Sequence, residues 1–229
     1  FYEVDPHCIG CTSCAYVCPT GAIKIVDDLN NPFDPVMIRN HGMKINAEMA
    51  TLDKIQNRMR EVGTANIVDV MNAYDLLPVH NYKFGSHPET YKIDSKMLKA
   101  KYFTQGMADG CWKGCSMACA KTVDGFRLKT GPYRGQLVSV DGPEYETAAG
   151  AANMGCFDGD FLVEFNFYCD TYGIDTISAA TTIAFVMEAF EAGIITEKHT
   201  GGLKLKFGAL REVLELLHQM AEGKGFGVD

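Results

Sequence analysis

The sequence predicts a mainly α-helical fold with a small α+β module at its N-terminus, and three observations carry that reading. Apolar residues recur at steps of three and four through separate segments between residues 45 and 222. One stretch, residues 125–143, breaks this rhythm with β-like alternation and turn residues, which predicts a hairpin. The first 28 residues hold four closely spaced cysteines followed by a short strand-like run, Ala22–Val26.

Taken in order, residues 1–28 form the cysteine-bearing module, and residues 29–44, rich in Pro, Asn and Asp, read as a linker. Residues 45–229 then form a helical domain. Its first helix is expected over 45–62, where Ile45, Met49, Leu52, Ile55, Met59 and Val62 share a face and Gly63 closes the end. A short helix over 66–75 and a loop over 76–90 follow. After the hairpin come three helical segments. Residues 159–171 carry Phe161, Leu162, Phe165 and Tyr168 on one face, and residues 176–192 carry Ile177, Ala180, Thr181, Ala184 and Phe185. Residues 208–222 carry Leu210, Val213, Leu214 and Leu217.

Composition excludes several function classes. The net charge of −8 and the lack of a basic cluster argue against nucleic acid as a partner. No apolar run reaches the roughly 18 residues of a membrane span, and the first residues lack the layout of a signal peptide. Nine cysteines is high for 229 residues, and seven fall into two tight clusters. Such clustering without an export signal favours metal ligation in the reducing cytoplasm over a disulfide framework. The chain starts on Phe1 rather than Met and stops just past a helix, so both ends are expected to be cuts in a longer chain.

Cys8, Cys11, Cys14 and Cys18-Pro19 form the C-x2-C-x2-C-x3-C-P run of bacterial ferredoxins. Three thiolates on one short loop can wrap three irons of a [4Fe–4S] cubane, and Pro19 then turns the chain away. Zinc sites favour two C-x2-C pairs instead. In two-cluster ferredoxins the fourth cysteine serves the other cluster, so Cys18 is assigned to a second cluster, with all four on one cluster as the alternative.

Cys111, Cys115 and Cys119 form a C-x3-C-x3-C triplet. On a helix, positions i, i+4 and i+8 would put three sulfurs on nearly one face. The triplet alone is a weak signal, and a buried cysteine face is its alternative reading, since cysteine packs like a small hydrophobe. Cys156 and Cys169 stand alone and read as core. His7, His41, His87, His199 and His218 read as scattered and solvated, and His80 receives no role.

The stretch after the triplet, from GPEYET at 142–147 through Asp170-Thr-Tyr-Gly173-Ile-Asp175 to FVMEAFEAGII, resembles the aldehyde:ferredoxin oxidoreductase family of tungsten (rarely molybdenum) bis-pyranopterin enzymes. The pieces appear in family order across residues 45 to 225. The resemblance implies the family's central helical domain, with Cys111, Cys115 and Cys119 as three ligands of a [4Fe–4S] cluster. The family triplet is usually C-x2-C-x3-C, so the first gap here is one residue longer. Asp170, Gly173, Ile174 and Asp175 match the pterin-binding turn, and Glu144 or Glu146 matches the glutamate brought to the metal centre. Some relatives hold a bridging metal with E-x-x-H at Glu164, but this chain has Phe167 in the histidine position. The implied reaction interconverts a small aldehyde and its acid, with electrons leaving through [4Fe–4S] clusters to ferredoxin or an iron–sulfur subunit. The alternatives are an electron-transfer subunit without pterin and an aryl-CoA reductase of the same superfamily. Carboxylates in GPEYET speak against the latter, whose known members place a metal-ligating cysteine there.

Overall fold

A computed structural model describes residues 35–52, 56–104 and 117–228. The chain divides into two units, Phe1–Asn57 with Gly110–Met117, and Arg58–Asp109 with Ala118–Asp229. The N-terminal cysteine module, with Cys8, Cys11, Cys14 and Cys18, lies outside the described residues, as do Cys111 and Cys115.

In the first unit the described chain is chiefly one helix, α1 (Pro35–Ala50). It begins inside the stretch whose composition reads as a linker. Proline at the first helical position forfeits no hydrogen bond, because that N–H has no partner in any helix. The continuous helix expected over 45–62 is interrupted. At Thr51 both the backbone N–H and the hydroxyl turn back to the Glu48 carbonyl, at 3.1 and 2.7 Å, a local bond that competes with helix propagation. Helical structure resumes in the second unit as a single turn, α2 (Met59–Val62). Gly63, at φ 67°, closes that turn as expected, its N–H donating to the Met59 carbonyl at 2.7 Å.

The second unit continues with α3 (Asn66–Ala73), a 3-10 turn at Pro88–Lys92 and α4 (Ser95–Lys101). The predicted hairpin is present as β1 (Thr122–Arg127) antiparallel to β2 (Leu137–Asp141), with a bulge between Val123 and Phe126. Then come α5 (Tyr145–Asn153), α6 (Gly159–Tyr172), α7 (Thr176–Glu191) and α8 (Leu210–Glu222). The fold is mainly α, as the periodicity predicts.

Helix α6 is the centre of the core. Phe161, Leu162, Phe165 and Tyr168 are buried as predicted, together with Val163 and Cys169. Helices α5 and α7 pack through small residues. A Cβ at Gly150 would come within 2.6 Å of the Ala180 Cβ, so glycine sets how closely they approach. This contact also sets the rotation of α7. Ala179, Ala180, Ile183, Ala184 and Met187 face inward, while Ile177 and Phe185, expected on the buried face, are 53% and 62% exposed. Cys156 and Cys169 are core, and burial raises both thiols, Cys169 to about 12.

The loop closing the hairpin is held by a buried polar network. Glu164 accepts hydrogen bonds from Lys129 N (3.1 Å), Thr130 N (2.6 Å) and Thr130 Oγ1 (2.6 Å). Tyr168 donates its hydroxyl to the Thr130 carbonyl at 2.6 Å. His218 completes the network, with Nε2 3.0 Å from Thr130 Oγ1 and Nδ1 2.8 Å from the Tyr172 hydroxyl. The expectation of a solvated His218 is therefore corrected: it is buried because the helical stripe of α8 rotates it onto the loop. Glu164 Oε1 is taken by two backbone N–H groups and a hydroxyl, a structural role that needs no metal-binding histidine.

Among the described residues no single helix is long and apolar enough to cross a membrane. Helices α6 and α7 pass such a test only as a pair bent by 116°, and most of their apolar residues lie in the core.

Glu164→Ala removes the acceptor of two partly buried N–H groups and should lower unfolding free energy by about 2–4 kcal/mol, measured by urea denaturation. Burial holds the His218 imidazole below its ordinary pKa of 6.5, so the folded state favours neutral His218. Its contribution to stability is present above pH 6.5 and declines as pH falls towards the depressed folded value. Melting temperature should fall over that window, and less so in His218→Gln.

Candidate active site

The open end of the hairpin brings distant residues together. Thr122, the first residue of β1, pairs with Asp141, the last of β2. The segment Cys119–Lys121 therefore enters the hairpin where Gly142–Glu144 leaves it. A further bond, from Gly142 N–H to the Lys121 carbonyl at 2.7 Å, extends the pairing one step. Cys119 is half-buried and lies in a short extended bridge. The expectation that the cysteine triplet rides one helical face fails at this residue. Ala118 before it has φ 49°, which breaks any helical run.

Glu144 precedes α5 in extended geometry, φ −107°, and its carboxylate does not cap the helix. Thr64 takes that role. Its Oγ1 accepts the Tyr145 N–H at 2.9 Å and donates its hydroxyl proton to Glu144 Oε2 at 3.1 Å. Thr64 follows Gly63, which lies against the Cys119 carbonyl. A Cβ at Gly63 would meet that oxygen at 2.9 Å, so both the contact and the positive φ require glycine. Gly63–Thr64 thus touches Cys119 on one side and Glu144 on the other.

Burial pushes the Glu144 carboxyl above its ordinary 4.5. The Thr64 hydrogen bond opposes this, the charges of Glu146 and Asp141 reinforce it, and Lys121 opposes it. Lys121 is itself buried, its Nζ donating to the carbonyls of Ala118 (3.1 Å) and Ala120 (2.8 Å) on either side of Cys119. Glu146 is exposed in the first turn of α5. The two glutamates that the sequence leaves equivalent are therefore distinct, and Glu144 is the half-buried one.

The second part of the site is the corner between α6 and α7. Gly173 adopts the left-handed conformation, φ 68° and ψ 31°. Its N–H reaches the Asp170 carbonyl (3.2 Å) and the Ile174 N–H reaches that of Cys169 (2.9 Å), which satisfies the end of α6. No atom lies within 4 Å of where a Gly173 Cβ would stand, so the turn faces open space. Asp175 caps α7 by accepting the Ser178 N–H at 2.7 Å, and hydrogen bonds from the Ser178 side chain and backbone hold its carboxyl below the usual range. Ile174 is partly buried against the core. Asp170 is exposed but bonded on one oxygen to Asn166 Nδ2 at 2.9 Å. Partial burial and the Asp141 charge raise its carboxyl.

Thr64, Lys121 and Asn166 escape a sequence reading. Asn166 alone leaves a trace, its i, i+4 spacing to Asp170. His87 also departs from expectation: it is not solvated but stacks on Phe157 at 4.1 Å. With His80, stacked on Phe207 at 4.5 Å, it lines a separate cavity of about 320 Å3. Among the described residues no three His, Cys, Asp or Glu side chains converge in a way that could hold a metal ion.

Residues 40–229 match the family described as aldehyde ferredoxin oxidoreductase, domains 2 and 3, and the chain belongs to that family. Residues 3–24 match a 4Fe-4S binding domain. The tungsten-containing aldehyde ferredoxin oxidoreductase of Pyrococcus horikoshii is 31% identical over 169 residues, 72% of this chain and 26% of that protein. Its Pyrococcus furiosus counterpart is 32% identical over 167 residues, again 72% and 26%. An aliphatic sulfonate oxidoreductase, WOR-like subunit, from Pyrococcus furiosus is 31% identical over 115 residues, half of this chain and 18% of that protein. The chain spans about a quarter of the length of the curated relatives it matches first.

The Glu144 carboxyl carbon, followed by NMR, should titrate with a midpoint above 4.5. Thr64→Val removes the bond that favours the carboxylate, so the midpoint should move further up; a fall would contradict the assigned geometry.

Proposed function

We propose that this chain is part of a tungsten–pterin oxidoreductase that interconverts a small aldehyde and its carboxylic acid. Aldehyde and water give the acid, two protons and two electrons. The electrons leave for ferredoxin or an iron–sulfur subunit. The observation that carries this reading is the hairpin's open end, where Cys119 and a perturbed Glu144 sit either side of Gly63–Thr64.

The residues fit the groups the family implies. Asp170, with one oxygen unengaged by Asn166, and the open turn at Gly173 offer acceptors and clear space to the N–H-rich edge of a pterin. Ile174 and Asp175 complete that turn. Half-buried Cys119, flanked by carbonyls that the buried Lys121 ammonium binds, suits a thiolate ligand of an anionic cluster. Cys111 and Cys115 would be its companions, and Cys8, Cys11, Cys14 and Cys18 would hold the N-terminal relay. In this reading residues 1–28 are the relay, 29–44 the connection and 45–229 the helical domain. When bound, tungsten–pterin supplies a two-electron oxidation and iron–sulfur clusters carry the electrons away singly.

What the chain's own residues do follows from their environment. Glu144, with its affinity for protons raised by burial, accepts a proton from the aldehyde hydrate and returns it in the reverse direction. The Thr64 hydroxyl holds the accepting oxygen in place and keeps enough carboxylate character for it to act as a base. Glu146, being exposed, adds negative charge beside Glu144 and makes no contact with the reacting atoms. The relative named as a WOR-like subunit supports a partner that takes the electrons, since that protein is itself one part of an assembly.

Anaerobic purification of the native protein and elemental analysis test the reading. About one tungsten or molybdenum per chain, with iron in multiples of about four, is expected. Iron without either metal would leave an electron-transfer subunit. Glu144→Gln should keep both metals and lower aldehyde oxidation about 100-fold, whereas Glu146→Gln should stay near the parent rate.

A further inference from the structure

Asn166 joins the two halves of the candidate site through hydrogen bonds. It sits midway along α6 and is only 5% exposed. Its side-chain amide is used almost completely. Both Nδ2 hydrogens are given away, one to the Asp141 carbonyl at 2.8 Å and one to Asp170 Oδ2 at 2.9 Å. Its Oδ1 accepts the hydroxyl of buried Thr147 at 2.6 Å. Three segments are thereby joined through one side chain: the end of β2, the first turns of α5 and the last turn of α6.

The packing around the amide is equally specific. A Cβ at Gly142 would stand 3.2 Å from Asn166 Oδ1 and 3.3 Å from the Glu144 N. Gly142 has φ 99°, so this close passage of backbone over amide needs glycine. The backbone at Gly142, two residues before Glu144, is thus laid against Asn166, and Thr147, three residues past Glu144, is tied to the same group.

Amide chemistry suits this place better than the alternatives. A carboxylate at 166 would oppose both the Asp141 carbonyl and the Asp170 carboxylate. An apolar side chain would leave Asp170 unheld and the buried Thr147 hydroxyl without its acceptor. A neutral donor fixes one oxygen of Asp170 and leaves the other unengaged by Asn166.

We propose that Asn166 is the positioning residue of this site, orienting the Asp170 carboxylate for the pterin and fixing the backbone that carries Glu144. The inference rests on the reading of Asp170 as a pterin contact. Asn166 touches neither substrate nor reacting atoms.

The test uses the native protein with Asn166→Leu, which is close in volume and cannot hydrogen-bond. The tungsten-to-iron ratio is measured after anaerobic purification, and the melting temperature is recorded beside it. The ratio should fall about tenfold, because pterin retention depends on Asp170 while the cysteine ligands do not. A ratio equal to the parent overturns the proposal. So does a parallel loss of tungsten and iron, which marks a purely structural residue. If Asn166→Leu does not accumulate, Thr147→Val removes only the bond into Oδ1 and should lower the same ratio about threefold; no change again overturns it. A parent protein without tungsten or molybdenum removes the functional reading itself, and the proposal falls with it. A parent that holds tungsten beside unaffected variants sinks only the role of Asn166.

Discussion

The hairpin is tied to α6 at both of its ends by two buried polar side chains less than one helical turn apart. Glu164 gathers the N–H groups of Lys129 and Thr130 at the closed end, and Asn166 holds the Asp141 carbonyl at the open end. Buried polar groups of this kind are costly unless satisfied, and here their partners are fixed backbone groups. The hairpin therefore has one seating on the helix. Everything assigned to the site hangs from that seating. The C-terminus of α6 is the Asp170–Gly173 corner, the residues before β1 include Cys119, and those after β2 lead to Glu144.

The same arrangement sets the electrostatics. Burial raises Glu144, and the groups that moderate it are the Thr64 hydroxyl and the buried Lys121 ammonium. Thr64 acts as acceptor and donor at once, accepting the first N–H of α5 and giving its proton to the carboxylate. That division of labour explains why Glu144, placed to cap α5, does not do so: its carboxylate is left available. Lys121 spends its donors on the carbonyls around Cys119, so the cation that steadies the cysteine strand is also the one that moderates Glu144.

Much of the helical scaffold was legible in the sequence because burial there follows periodicity. The faces of α6 and α8 follow from spacing, as does the hairpin from its turn residues. The corner at Gly173 follows from a glycine between two helical patterns with an aspartate positioned to cap the second. The departures from simple periodicity come from contacts distant along the chain and, at Thr51, from one local hydrogen bond. The rotation of α7 is decided by Gly150 on another helix, which a stripe count on 176–192 cannot see. The interruption near Thr51 depends on a local hydroxyl bond that hydropathy does not register. His218 owes its burial to the hairpin loop, 88 residues away. Thr64 and Asn166 are ordinary polar residues by composition, and only their partners make them part of the site. Distinguishing Glu144 from Glu146 likewise required knowing which one the loop at Gly63–Thr64 covers.

The most direct measurement is an anomalous-scattering crystal structure of the anaerobically purified native protein, recorded at the tungsten absorption edge. The account predicts a tungsten peak facing Glu144, with a pterin edge against Asp170 and the turn at Gly173–Asp175. A peak remote from Glu144, or a turn at Gly173 filled by protein instead of pterin, would contradict it.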